Sequence, residues 1–116
     1  MKIKSWELTG PALDWAVAKC EGHDAHYYSG VVRTCMKRVF GPELHYSTDW
    51  AQGGPIIERE SICVARPELG SQWIADKYYD TDRVHRAYGF TALTAAMRSY
   101  VRSKLGDEVE IPEELK

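Results

Sequence analysis

YSTDWAQGGP, residues 46–55, is the stretch that most constrains the fold of this chain. Three residues of the helix-capping type occupy positions 47–49, and two adjacent glycines stand directly before Pro55. Proline is favoured in the first turn of a helix, because its missing N–H has no partner there in any case. We therefore predict a polar loop that leads into a short helix running from Pro55 to about Glu60.

The same stretch is a candidate ligand site. Free N–H groups and the positive end of the dipole at a helix N-terminus attract anions such as phosphate, and glycines let a ligand approach the backbone. Flanking aromatic rings would offer stacking faces, and an arginine of the last predicted helix would add a planar cation. The predicted ligand-binding residues are Tyr46, Ser47, Thr48, Asp49, Trp50, Gly53, Gly54 and Arg98. The alternative is a capping loop that binds nothing, with Arg98 directed to solvent.

Two amphipathic helices are predicted, one near each end of the chain. The first covers residues 11–21, with an apolar stripe at helical spacing formed by Leu13, Ala16, Val17 and Cys20. The second begins after the cap residue Thr91 and ends at Gly106. Its apolar stripe consists of Leu93, Ala96, Met97, Tyr100, Val101 and Leu105.

The remaining segments give weaker signals. Residues 23–30 have the composition of a loop, and residues 31–40 favour a strand by composition although their apolar spacing is helical. Gly41-Pro42 is expected to end that segment. Residues 62–66 and 72–76 predict buried strands, and residues 77–86 an exposed loop.

These elements predict an α+β fold in a single domain over residues 1–106, with helices covering a small, mostly antiparallel sheet in a sandwich-like α-β-α arrangement. Residues 107–116 are expected to form an acidic C-terminal tail, extended and mobile apart from Val109 and Ile111.

Composition narrows the functional class. The 116 residues are 44% hydrophobic and 28% charged, with a net charge of −2, which is ordinary for a globular protein and argues against nucleic-acid binding. Cys20, Cys35 and Cys63 lack paired spacing, so we expect free thiols that behave as small buried hydrophobes in a reducing cytosol. Neither a signal peptide nor a membrane span is expected, which predicts a cytoplasmic protein.

No catalytic set, metal site or cofactor is predicted. Asp49 with Glu58 or Glu60 is a conceivable carboxylate pair, but capping and a solvated helix face explain these residues more simply. The histidine pair His23 and His26 lacks further ligands at a recognised spacing. His45 and His85 are the further histidines that could join such a metal site.

A local basic cluster is the one feature that favours nucleic acid. Arg33, Lys37 and Arg38 lie near the aromatic residues Tyr27, Tyr28 and Phe40. Cations beside aromatic rings can bind single strands, but the net charge and the acidic tail oppose this interpretation.

Three blocks of the chain resemble the NinX-like family of small phage proteins. They are residues 8–18, residues 46–60, and residues 93–101 with 103–109. The second block, with its double glycine, is long and unusual, which makes the match specific. More remotely, the pattern is similar to phage proteins with an α-β-α sandwich domain, in which an arginine occupies the position of Arg98. Residues 23–45 depart from the family pattern, as does Ala92, where the family usually has proline.

The resemblance implies a phage-encoded accessory protein and no particular chemistry. Together with the loop, it predicts a non-enzymatic protein that binds a small anionic, nucleotide-like ligand and sequesters a defence-signalling nucleotide of the bacterial host. The alternatives are a protein-interaction module and an accessory factor in phage recombination or replication. A homodimer is expected, because aromatic residues exceed what one small core hides. These are Trp6, Trp15, Tyr78, Tyr79 and Tyr88.

Overall fold

The computed structural model describes residues 1–36, 39–67, 70, 72–81 and 83–115. Its elements follow in the order β1 (Lys2–Lys4), α1 (Gly10–Cys20), β2 (Ala25–Tyr28), β3 (Val31–Met36), β4 (Val39–Leu44), α2 (Trp50–Arg59), β5 (Cys63–Ala65), β6 (Trp73–Tyr78), β7 (Val84–Gly89), α3 (Ala92–Leu105) and β8 (Glu108–Glu110). Single 3₁₀ turns cover Ser5–Glu7 and Glu113–Leu115. The α+β prediction is confirmed.

All strand pairs in the described part of the chain are antiparallel, as predicted, but they form three small sheets rather than one. The sheets have the orders β1-β8, β2-β3-β4 and β5-β6-β7. Helix α3 lies at the centre, because it packs on β6 and β7 and also against α1 and α2. The core is therefore built around α3, and the β1-β8 and β2-β3-β4 sheets lie beside it.

The predicted helix faces are confirmed. Leu93, Ala96, Met97, Tyr100 and Val101 of α3 are buried, and Leu105 is half-buried. The hydroxyl of Thr91 accepts a hydrogen bond from the backbone N–H of Thr94, which fixes the start of the helix. In α1, Leu13, Ala16 and Val17 face the same core.

An ion-pair cluster joins the three helices at their edge. Glu21, directly after α1, accepts two hydrogen bonds from the guanidinium of Arg59 in α2, at 2.9 and 2.6 Å, and one from the hydroxyl of Tyr100 in α3. The Arg59 hydrogen bonds lower the pKa of Glu21, and burial is the main cause that raises the pKa of Tyr100. This carboxylate therefore helps to set the helix arrangement.

Three predictions about where strands and loops lie are wrong. Residues 23–30 contain β2, in which exposed and half-buried residues alternate, and β4 continues through Gly41 and Pro42 to Leu44. An edge strand tolerates proline, because one side of its backbone needs no partner. Residues 77–86 include the end of β6 and the start of β7, whose exposed face is polar and aromatic.

The acidic tail is also different from the expectation. Strand β8 pairs with β1, with Ile3 opposite Val109, and Leu115 is buried beyond it. Val109 and Ile111 are buried as expected. The segment after α3 is therefore packed on the globule instead of being mobile.

The cysteines are free thiols, as predicted, but their expected burial is only partly right. Cys20 and Cys35 are half-buried, and Cys63 is exposed because it lies on the outer face of β5. Burial raises the pKa of the Cys20 thiol to about 12. No helix among the described residues has the length and apolar character needed to span a membrane.

Candidate functional site

The helix that follows the YSTDW motif begins five residues earlier than predicted. Helix α2 starts at Trp50, because the carboxylate of Asp49 accepts a hydrogen bond of 2.9 Å from the backbone N–H of Ala51. Pro55 consequently lies inside the helix rather than in its first turn. The Gln52 side chain ties this helix start to the end of β4, accepting from the His45 N–H at 2.6 Å and donating to the Glu43 carbonyl at 3.0 Å.

Several residues of the predicted ligand site serve packing. Tyr46 and Ser47 are buried, and the Ser47 N–H donates to the buried carboxylate of Asp14 at 2.8 Å. Burial raises the pKa of Asp14, and the hydrogen bond from Ser47 opposes that shift. Gly53 is also buried, and its neighbours leave no room for a side chain. A Cβ at this position would lie 2.5 Å from Leu93 Cδ2 and closer still to the Tyr46 carbonyl oxygen.

Thr48 and Trp50 line a small cleft of about 220 Å³ beside the start of α3. The lining of this threonine cleft is Ser47, Thr48, Trp50, Thr91, Leu93 and Thr94. Gly54 packs near the Trp50 ring, since a Cβ at this position would lie 3.6 Å from Cε3 of that ring. Arg98 does not line the threonine cleft, so the structure does not place the loop and the arginine around one cleft. Ligand binding by the loop stays a prediction.

Arg98 lines a different and larger cleft, of about 410 Å³. We call it the arginine cleft. Its lining is Trp6, Gln72, Arg86, Tyr88, Arg98 and Arg102. These residues come from the 3₁₀ turn after β1, from the segment before β6, and from β7 and α3, so that four separate parts of the sequence meet there.

Arg98 is held firmly by backbone carbonyls. Its Nε donates to the Leu8 carbonyl at 2.6 Å, and one terminal nitrogen donates to the Tyr88 carbonyl at 2.7 Å. The guanidinium is half-buried, and burial lowers its pKa. No carboxylate of the described residues forms an ion pair with it; Glu7 acts only at longer range. Its positive charge is therefore fixed in place but not neutralised.

The other two arginines of the cleft are paired. Arg86 makes a two-pronged contact with Asp76, at 2.7 and 2.9 Å, which raises the pKa of Arg86. Arg102 donates to Asp107 at 2.9 Å, and its guanidinium carbon lies 4.9 Å from the centre of the Trp6 ring. Of the three guanidinium groups, Arg98 is thus the one available for an external anion.

Arg98 and Arg102 are held in place by the edge strand β7. Arg98 and Arg102 are one turn apart on α3, and they donate to the carbonyls of Tyr88 and Arg86, two residues apart on β7. Because β7 is the edge strand of its sheet, the two arginines of α3 bond to backbone carbonyls of an edge strand. The side chain of Tyr88 lines the same cleft.

The sequence predicts Arg98 as a site residue but not the other residues of the cleft lining. Trp6 and Tyr88 stand out in the sequence only as aromatic residues in excess of what the core can bury. Arg86 and Tyr88 are two residues apart and lie on the same face of β7, which is the spacing of a strand. This strand pattern was not recognised in the sequence, because residues 77–86 have the composition of a loop. The spacing of Arg98 and Arg102 is readable in the sequence, since residues four apart share a helix face.

The histidines do not assemble a metal site in the described part of the chain. His26 lies 3.2 Å from Asp24, His45 lies 3.4 Å from Glu43, and the His85 ring contacts Tyr79. No three His, Cys, Asp or Glu residues among those described lie close enough to hold a metal ion.

Only part of the predicted basic cluster can be placed. Arg33 bonds to the Gly41 carbonyl and to Glu43, while Lys37 and Arg38 lie outside the described residues. The Tyr28 and Phe40 rings stack at 5.9 Å and are both exposed.

Comparison with known proteins gives one family. A family model described as bacteriophage P22, NinX, matches residues 4–104. This range contains every residue that lines the arginine cleft. No curated protein matches the chain.

Proposed function

The chain belongs to the bacteriophage P22 NinX family, and from this premise we propose that it is a phage accessory protein that binds a small anionic, nucleotide-like ligand without converting it. The ligand occupies the arginine cleft. The observation that carries the proposal is the charge of Arg98, which is half-buried, oriented by two carbonyls and left without a carboxylate partner among the described residues.

A charge in such a position favours an anion. Removing a cation from water costs free energy unless an opposite charge compensates it, and a guanidinium matches the geometry of phosphate oxygens. Two nitrogens of Arg98 are already committed to carbonyls, so the group needs no ordering when the ligand arrives. This preorganisation lowers the entropic cost of binding.

The walls of the cleft suit a ligand that also carries a ring. Trp6 and Tyr88 are partly exposed there, and aromatic side chains stack on nucleobases. The volume of about 410 Å³ lies within the range of ordinary small-molecule sites, which is about 300–1,000 Å³. A nucleotide combines the phosphate and the ring that these two features would recognise.

Binding without conversion is supported by the composition of the lining. The described side chains that line the cleft are arginine, aromatic or amide groups, and they do not pair a nucleophile with a base of the kind used for group transfer. Sequestration of a host signalling nucleotide in the cytoplasm of the infected bacterium is the role that we propose. Such a role requires affinity and abundance but no turnover.

Two experiments test the proposal. Isothermal titration with nucleoside mono-, di- and triphosphates should give saturable binding, which Arg98→Gln abolishes and Arg98→Lys retains in part. Arg33→Gln is the matched control, because Arg33 also contacts a backbone carbonyl but lies on another sheet. Mass spectrometry of small molecules released from protein purified out of infected cells should find the ligand. Equal affinity of the parent and Arg98→Gln for every nucleotide would refute the site.

A protein-interaction role is the second candidate, favoured by a specific surface. Tyr28, Val39 and Phe40 are between 52% and 68% exposed, and the rings of Tyr28 in β2 and Phe40 in β4 stack on each other. Such exposed apolar groups are typical of contact surfaces, including that of a homodimer. Sedimentation of the parent and of Phe40→Ser at micromolar concentration tests the dimer: a monomer in both cases contradicts it.

A further inference from the structure

An apolar cleft continues from the arginine cleft across the outer face of the β5-β6-β7 sheet. It has a volume of about 250 Å³ and is lined by Pro67, Gly70, Gln72, Ile74 and Tyr88. Gln72 and Tyr88 line both clefts, so the two spaces adjoin. We call the second one the ring cleft.

The floor of the ring cleft is made by a cross-strand pair. Ile74 of β6 lies directly opposite Tyr88 of β7, and α3 covers the other face of the sheet. Tyr88 is 44% exposed and Ile74 is half-buried, so a phenol ring and an aliphatic side chain form an open apolar surface. A planar group that lies on this surface gains stacking and apolar contact.

Gln72 stands at the boundary of the two clefts with a free amide. No described residue forms a hydrogen bond with its side chain, which therefore offers a donor and an acceptor side by side. Adenine presents the complementary pair, its N6 donor and N7 acceptor, whereas the same edge of guanine presents two acceptors. An amide that faces this edge of the base therefore favours adenine over guanine.

From these features we infer that the ligand of the proposed site is an adenine nucleotide. The phosphate binds Arg98 in the arginine cleft, the adenine ring lies on Tyr88 and Ile74 in the ring cleft, and Gln72 bonds to the edge of the base. This inference rests on the proposed function and adds a base subsite and a selectivity to it.

Titration of the full chain with three probes tests the inference. AMP should bind at least about tenfold more tightly than GMP, because the amide pairs with both the donor and the acceptor on this edge of adenine but with only one of the two acceptors of guanine. It should also exceed ribose 5-phosphate, which carries the phosphate without the base, by at least about tenfold. Gln72→Leu should remove the difference between AMP and GMP, and Gln72→Asn gives a second version of that test should the leucine variant fold poorly.

The Tyr88 variants test the ring subsite. Tyr88→Leu should lower the affinity for AMP by about tenfold or more and leave that for ribose 5-phosphate within about twofold, whereas Tyr88→Phe keeps both. Tyr78→Leu is the matched control, because Tyr78 is similarly exposed on the same sheet but lines neither cleft.

The failures are distinguishable. Equal affinities for AMP and ribose 5-phosphate overturn the base subsite while the anion site of the proposed function stands. GMP binding as tightly as AMP overturns the selectivity of Gln72. Absence of binding by all three probes overturns the proposed function together with this inference.

Discussion

Substituting the two neighbouring glycines of α2 should change stability in opposite directions. Both have helical backbone angles, so Gly→Ala at either position gains about 1 kcal/mol of helix propensity. At Gly53 the added methyl would overlap the Tyr46 carbonyl and lie 2.5 Å from Leu93 Cδ2, and backbone cannot rotate away as a side chain can. Overpacking of this kind costs about 1–3 kcal/mol and sometimes more.

We expect Gly53→Ala to lower the free energy of unfolding by about 2 kcal/mol net, taking the overpacking cost at or above the top of its range. Gly54→Ala should raise it by about 0.5–1 kcal/mol, since its methyl meets only the Trp50 ring at an ordinary 3.6 Å. Urea denaturation followed by circular dichroism measures both changes. If Gly53→Ala were as stable as the parent, the close approach of α2 to the Tyr46 backbone would be wrong.

Three further predictions use the core, the helix-edge ion pair and the two clefts. Ala96→Asp should lower the free energy of unfolding by about 3–5 kcal/mol, because it places an unpaired carboxylate at a fully buried site; a thermal midpoint equal to the parent's would contradict the helix face. Glu21→Gln should be less stable than the parent at pH 7. The difference in free energy of unfolding between the two proteins should disappear as the pH falls below 4.5 through the lowered pKa of Glu21 in the folded state, because protonation of the parent removes the same ionic bonds. A difference that does not change with pH in a series of denaturation experiments would exclude this ionic role. Trp50→Ala should leave nucleotide affinity in titrations unchanged, since Trp50 lines only the threonine cleft; a loss equal to that of Arg98→Gln would move the ligand there.

The helices were predictable because their signals are local and repeat. The stripe of α3 continues for four turns between a threonine cap and Gly106, so packing and propensity agree. Strands β2 and β7 were missed for the opposite reason: each has one face open to water, and a short alternating segment rich in Tyr, His and Arg has the composition of a loop. The start of α2 was misplaced because Pro55 outweighed the cap at Asp49.

The candidate site was less predictable than the fold. Arg98 could be singled out from its place in the last helix, but its half-burial and its missing counter-ion depend on Leu8 and Tyr88, which are distant in sequence. The glycine pair suggested a nest for phosphate, yet one glycine is needed for close packing. A single sequence gives no means to separate these two uses of glycine, since both require the same absence of a side chain.

The pairing of β1 with β8 determines when the arginine cleft can form during synthesis. Trp6 follows β1 directly, whereas the partner strand begins at Glu108, so the N-terminal segment waits on the ribosome until more than a hundred residues have been added. Helix α3, with Arg98 and Arg102, also emerges late. A nascent chain therefore lacks the α3 side of the cleft, and the ligand that we propose could bind only after this helix has left the exit tunnel.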